Sequence, residues 1–132
     1  MTSIDTDLPR PFRLLKELKG SSDYPGVSFG LEDPGDMEYK FWAGSFISSS
    51  GHFMNLTFIC DDEFPKTIST IKFNESYMNQ YPEDYDEDYA IILKNVQKLC
   101  NSDGTLKKNV IVWKPEKTIG SYLSELRKLI MK

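Results

Sequence analysis

The side chains of this chain that could carry chemistry are two cysteines, one histidine, a lysine just after a tight turn and a run of carboxylates. A thiol becomes a nucleophile when it is exposed beside a base or a cation. Cys100 falls on the apolar side of a predicted helix and Cys60 on the buried side of a predicted strand, where free thiols act as inert packing. His52 has no Ser or Cys near it in a nucleophile motif, so it reads as a loop residue at a strand start. One histidine and two distant cysteines give no metal-ligand spacing. Glu83, Asp84, Asp86, Glu87 and Asp88 place five carboxylates in six positions. Like charges so close repel, which predicts a solvated loop. The turn Asn101-Ser102-Asp103-Gly104-Thr105 ends near Lys107, and a lysine amine is mostly ammonium near neutral pH. The residues therefore assign no catalytic group, no metal and no cofactor.

Composition bounds the rest. At 132 residues the chain is expected to form a single domain over 10–132, behind a loose polar N-terminus at 1–9. Sixteen basic against twenty acidic side chains give a net charge of −4, which argues against a nucleic-acid backbone as partner. Two cysteines and the lack of an apolar N-terminal run suggest a reducing, intracellular setting. No apolar run approaches the ~20 residues of a membrane span.

Periodicity then places the elements. Phe12, Leu15 and Leu18 recur at helical spacing and predict a helix over Arg10–Lys19, with Gly20 as its stop. Three runs alternate with the period of half-buried strands. Val27–Leu31 sets Val27, Phe29 and Leu31 against Ser28 and Gly30. Tyr39–Ile47 sets Trp42, Gly44 and Phe46 against Ala43 and Ser45. Phe53–Cys60 sets Met54, Leu56, Phe58 and Cys60 against Phe53, Asn55 and Thr57. The turns between them are Asp33-Pro34-Gly35-Asp36 and Ser48–Gly51. Ile68–Phe73 reads as a fourth strand, Asn74–Asp88 as a loop, and Asp88 as the cap of a helix through Cys100. Ile119, Tyr122, Leu123, Leu126, Leu129 and Ile130 form the stripe of a last helix with Thr118 as N-cap. The pattern predicts an α+β domain.

Several motifs in this order resemble the ubiquitin-conjugating enzymes: Trp42-Ala43-Gly44, Phe64-Pro65 before Ile71-Lys72-Phe73, Asp103-Gly104, and Trp113-Lys114-Pro115 before the last helix. The N-terminus, Pro9-Arg10-Pro11-Phe12-Arg13-Leu14-Leu15-Lys16-Glu17-Leu18 with Val27-Ser28-Phe29-Gly30-Leu31-Glu32-Asp33, resembles their catalytically inactive variants. The closest kind pairs with an active enzyme to build lysine-sixty-three-linked ubiquitin chains. The chain also stops soon after its last helix, as that kind does. The implied fold is an N-terminal helix, a four-stranded antiparallel meander and a C-terminal helix, with an acidic insertion, Asn74–Leu99, after the fourth strand. The turn at Ser48–Gly51 is shorter than in close relatives.

The resemblance also implies roles. Active members carry a His-Pro-Asn triplet and a nucleophilic Cys three residues after the Gly. Here the triplet reads Gln97-Lys98-Leu99 and the nucleophile position reads Lys107. Leu99 offers no donor to an oxyanion, and an acylated lysine would be a stable amide. Phe12 matches the residue that enters a pocket on the active enzyme, with Leu8, Arg10 and Arg13 as rim contacts, although periodicity alone would pack Phe12 under its own sheet. Ser28, Ser45 and Phe53 match an acceptor-ubiquitin surface. The partners implied are an active ubiquitin-conjugating enzyme in a heterodimer, ubiquitin, and a ligase reached through the partner, in cytoplasm and nucleus, serving DNA-damage tolerance and signalling. The alternatives are a ubiquitin- and peptide-binding module of endosomal-sorting type, and a divergent active enzyme using Cys100.

Overall fold

The structure, a computed structural model, describes residues 8–131; most of the segment expected to be loose, 1–7, lies outside the described residues. The expected α+β order is present. Helix α1 (Arg10–Lys19) leads into strands β1 (Val27–Leu31), β2 (Phe41–Ile47), β3 (Phe53–Ile59) and the short β4 (Lys72–Phe73). Two 3-10 turns (Glu75–Asn79 and Pro82–Asp84), helix α2 (Glu87–Leu99) and helix α3 (Ile119–Ile130) follow. The strands form one antiparallel meander in the order β1-β2-β3-β4.

The alternation in β1–β3 decides which face is covered. Val27, Phe29, Trp42, Phe46, Met54, Leu56 and Phe58 are buried. They pack with Ile92, Leu93 and Val96 of α2 and with Ile119, Tyr122, Leu123, Leu126 and Ile130 of α3 in one core. Trp42 lies at its centre, with ring centroids 6.1 Å from Phe29 and 5.9 Å from Phe58, and its indole N–H donates to the Tyr39 carbonyl at 2.7 Å. Burying that donor with a partner avoids the cost of an unmet hydrogen bond. Leu129, assigned to the buried stripe of α3, is instead exposed at the stripe's edge.

Four boundaries differ from the sequence pattern, each because a polar side chain takes over backbone groups. Strand β2 starts at Phe41 rather than Tyr39, and the Asp36 carboxylate accepts from the amides of Lys40 (2.8 Å) and Phe41 (3.0 Å). The expected fourth strand from Ile68 shrinks to Lys72–Phe73, because the Ile59 amide donates to Ser69 Oγ (2.6 Å) instead of a ladder carbonyl. Helix α2 is capped by Asp86, not Asp88: Asp86 Oδ1 accepts from the Tyr89 amide at 2.9 Å. The segment 74–88 is not a plain solvated loop. Asn74 caps the first 3-10 turn, and Tyr77 buries its ring while its hydroxyl accepts from the Asn55 amide at 3.0 Å. Thr118 caps α3 as expected, in a reciprocal box with Ser121.

Candidate functional site

Residues 100–107 form a hairpin-like turn at the end of α2. The Lys107 amide donates to the Leu99 carbonyl (2.9 Å), Cys100 bridges to Leu106, and the Asn101 amide donates to Thr105 O (2.7 Å). The two positions picked out by sequence, Leu99 and Lys107, thus face each other across the turn. Gly104 has φ +90°, and a Cβ there would collide with the carbonyl oxygen of Phe73, so this position needs glycine. Asp103 Oδ1 accepts from the Thr105 hydroxyl (2.6 Å) and amide (3.0 Å). Those bonds, helped by the charge of Lys72, hold its carboxyl below the usual range. Lys107 itself is exposed. Gln97, at the first triplet position, donates to the carbonyls of Tyr77 (2.9 Å) and Gln80 (2.8 Å), so it braces the first 3-10 turn.

Neither cysteine offers a thiolate. Cys100 is 4% exposed, and burial pushes its thiol up to about 11. Cys60 is fully buried, and desolvation again pushes it well above the ordinary thiol range. A buried, protonated thiol is a poor nucleophile. His52 packs on Tyr89 (ring centroids 5.3 Å apart), with Nε2 3.2 Å from Asp86 Oδ1. It pins the β2–β3 turn to the start of α2. Among the described residues no cluster of His, Cys, Asp and Glu could hold a metal, and no helix is long and apolar enough to cross a membrane.

The outward face of the sheet carries Ser28, Ser45 and Phe53 together. Ser28 pairs with Ser45, and Ser45 with Asn55, in one row across three strands. The next row holds Gly30, Ala43, Thr57 and Lys72. Phe53, 57% exposed, pairs with Ile47 in the row on the other side. A concavity of about 730 Å³ covers the serine row and ends at Lys72, Asn74 and Glu75. Asn55 and Thr57 join this surface as the alternation of β3 predicts, and Lys72 and Glu75 join it without having been singled out from sequence. Glu75 could not be placed from sequence, because its position depends on where the 3-10 turn falls.

On α1 the sequence stripe points the wrong way. The buried face is Arg13, Leu14 and Glu17, while Phe12 is 62% exposed and Leu15 and Leu18 are half-buried. Phe12 therefore does not pack under its own sheet. Arg13, expected at a partner rim, is only 1% exposed. Its Nε donates to Glu17 Oε2 (3.1 Å), and its Nη2 donates to the carbonyls of Pro115 (2.9 Å) and Lys117 (2.8 Å). Glu17 Oε1 accepts from the Ile119 amide (3.0 Å) at the start of α3. Burial foremost raises the Glu17 carboxyl, opposed by that amide and by Arg13. Arg13 is thus a strut, removed from the rim because its charge is spent inside. Arg10 stays partly exposed while donating to the carbonyls of Cys60 (2.6 Å) and Asp61 (2.8 Å), and Leu8 is half-buried beside it in sequence.

The order of helix, four-stranded meander and closing helices, with the turn at Gly104 beside β4, defines a protein of the ubiquitin-conjugating fold. The crystal structure of a ubiquitin conjugating enzyme E2 from Plasmodium falciparum superposes with a TM-score of 0.62 over 92% of this chain and 97% of that one, at 12% identity. In sequence the chain is similar to ubiquitin-conjugating enzyme E2 variants 1C and 1D of Arabidopsis thaliana, 34% identical to each over 76 residues. That match takes in 51% of this chain and 52% and 51% of the two relatives, so the chain spans about half the length of the curated relatives it matches. No family model matches the chain. The resemblance to conjugating-enzyme variants drawn from the N-terminal motifs is borne out by these names.

Proposed function

We propose that this chain is a non-catalytic companion of an active ubiquitin-conjugating enzyme. It holds acceptor ubiquitin so that one lysine meets the partner's thioester and lysine-sixty-three-linked chains form. The observation that carries the reading is a pair of exposures: Phe12 and Phe53 are 62% and 57% exposed on separate, well-anchored elements. Both thiols are buried, so the chain offers exposed apolar anchors and no exposed thiol. Phe12 on α1 docks in the partner enzyme, with Leu8 and Arg10 beside it. Ser28, Ser45 and Phe53 receive the acceptor. Fixing the acceptor's orientation makes an otherwise random encounter effectively intramolecular, so linkage follows from geometry. The similarity to named conjugating-enzyme variants supports the non-catalytic role. The expected settings are cytoplasm and nucleus, in DNA-damage tolerance and signalling, with a ligase recruited through the partner.

Reconstitution tests this. The chain is mixed with activating enzyme, ATP, ubiquitin and each active conjugating enzyme of the same source, and unanchored chains are read by linkage. Lysine-sixty-three chains with one partner, lost with Phe12→Ala, are the expected result. Burying about 120 Å² of Phe12 at ~25 cal/mol per Å² is worth about 3 kcal/mol, roughly a hundredfold in Kd. A reducing-agent-sensitive ubiquitin adduct on this chain alone, lost with Cys100→Ala, would overturn the proposal in favour of an active enzyme. Peptide binding with no partner enzyme would favour a sorting-type module.

A further inference from the structure

The concavity on the outward sheet face is not symmetric in charge. Its floor and the β1 side are neutral: Ser28, Gly30, Ala43, Ser45, Asn55 and Thr57. Its far end, beyond β4, is built by the start of the inserted segment. There Asn74 spends its side-chain oxygen on the Ser76 amide (3.0 Å) as a cap. Lys72, bridged in the backbone to Thr105, lies near Asp103 and helps hold that carboxyl down, after the Thr105 bonds. Glu75 is exposed and has no ion-pair partner among the described residues. The turn that carries Glu75 is fixed on three sides. Tyr77 Oη accepts from the Asn55 amide in β3, Gln97 donates to the carbonyls of Tyr77 and Gln80, and Gly104 packs against Phe73 and Glu75. Glu75 is thus the one carboxylate in the lining of a concavity whose only other charged lining residue is Lys72, and it is held on a braced turn with no ion-pair partner among the described residues.

We propose that Glu75 is a specificity-determining residue of the acceptor surface, receiving a lysine or arginine side chain of the acceptor ubiquitin that lies over Ser28, Ser45 and Phe53. This rests on the proposed function for its occupant and adds the polarity of the site. The uncharged floor over β1–β3 receives the acceptor's flat apolar contact, and Glu75 selects the orientation that brings a cation to its side of the β4 end. Such rim charges act mainly on orientation and encounter rate, and they are screened by salt.

The test is titration of isotope-labelled monomeric ubiquitin with the intact chain, followed by NMR at about 20 mM and about 500 mM salt, for the wild type, Glu75→Gln, Glu75→Lys and Ser45→Arg. Folding of each variant is checked by thermal melting, and Glu75→Gln retains size and shape should the charge reversal perturb the turn. Glu75→Lys is expected to weaken binding about tenfold at low salt and Glu75→Gln about threefold, with both differences shrinking to within twofold at high salt. The shift changes lost in Glu75→Lys should centre on one basic residue of ubiquitin. If Ser45→Arg abolishes binding while both Glu75 variants bind within twofold of wild type at low salt, the charge assignment is wrong and the acceptor surface stands. If Ser45→Arg also binds normally, the acceptor surface itself is wrong and the inference falls with it.

Discussion

Removing the Arg13 guanidinium should unseat α1. In Arg13→Ala the buried Glu17 carboxylate keeps only the Ile119 amide, and the part-buried carbonyls of Pro115 and Lys117 lose their donor. Breaking a buried ion pair from one side costs about 3–5 kcal/mol, because an uncompensated charge remains, and the two orphaned acceptors keep the figure at its upper end. Arg13 also lies over the Phe64 ring at 5.5 Å, so some packing goes with it. Domains of this size are stable by about 5–15 kcal/mol, so the loss is a large share of the total. With a urea m-value of about 2 kcal/mol/M, the unfolding midpoint should fall by about 2 M. Equilibrium urea unfolding followed by tryptophan fluorescence reads it through Trp42 and Trp113. The double variant Arg13→Met with Glu17→Leu should recover part of the loss, because it removes both charges, although the Ile119 amide stays unpaired. A fall below about 1 kcal/mol in Arg13→Ala would refute the clamp and show that water reaches the pair.

Three further outcomes are expected. Because the Glu17 carboxyl is raised in the fold, the folded chain holds that proton to higher pH than the unfolded chain does. Its contribution to stability is therefore full below the ordinary glutamate range and lost as pH rises through the raised value; Glu17→Gln should flatten that slope in a series of urea melts between about pH 4 and 7. Gly104→Ala meets both a positive φ and the Phe73 carbonyl, and should lower stability by about 2–4 kcal/mol in thermal unfolding, whereas Lys107→Ala at the exposed end of the same turn should stay within about 0.5 kcal/mol. Cys100, with its thiol pushed up to about 11, should resist iodoacetamide at pH 8 in the native chain and react fully in urea, read by intact mass.

Strands β1, β2 and β3 were readable because one face is buried and one is open, so burial alternates with the pleat and so does sequence polarity. The same alternation sets Ser28, Ser45 and Phe53 on one side of the sheet. Helix α1 defeated the same logic. Its length follows from the pattern, but the buried face carries Arg13 and Glu17, which pair with each other and bond three backbone groups contributed by residues 115–119, leaving Arg13 Nη1 without a partner. A periodicity that counts charge as solvent-facing assigns that face outward and pulls Phe12 inward. Nothing local in the sequence announces a partner a hundred positions away. The shortened β4 and the cap at Asp86 were hidden for a related reason: Ser69 and Asp86 act through side-chain oxygens whose reach depends on the fold. Glu75 was submerged in a generally acidic stretch, where composition cannot tell a braced carboxylate from a solvated one.

The clamp on α1 also sets an order of events. Its hydrogen bonds join residues 102 and 104 positions apart, and such long closures come late because their loop entropy must be met before the contact repays it. The helix bearing Phe12 is made well before residues 115–119 and is locked only after them. At about 5–20 residues per second it waits on the order of ten seconds for residues 115–119 to be made. Until then neither Arg13 nor Glu17 has its final partners, and the apolar side chain beside them has no fixed direction. The surface proposed to meet a partner enzyme is therefore completed only once residues 115–119 have been made.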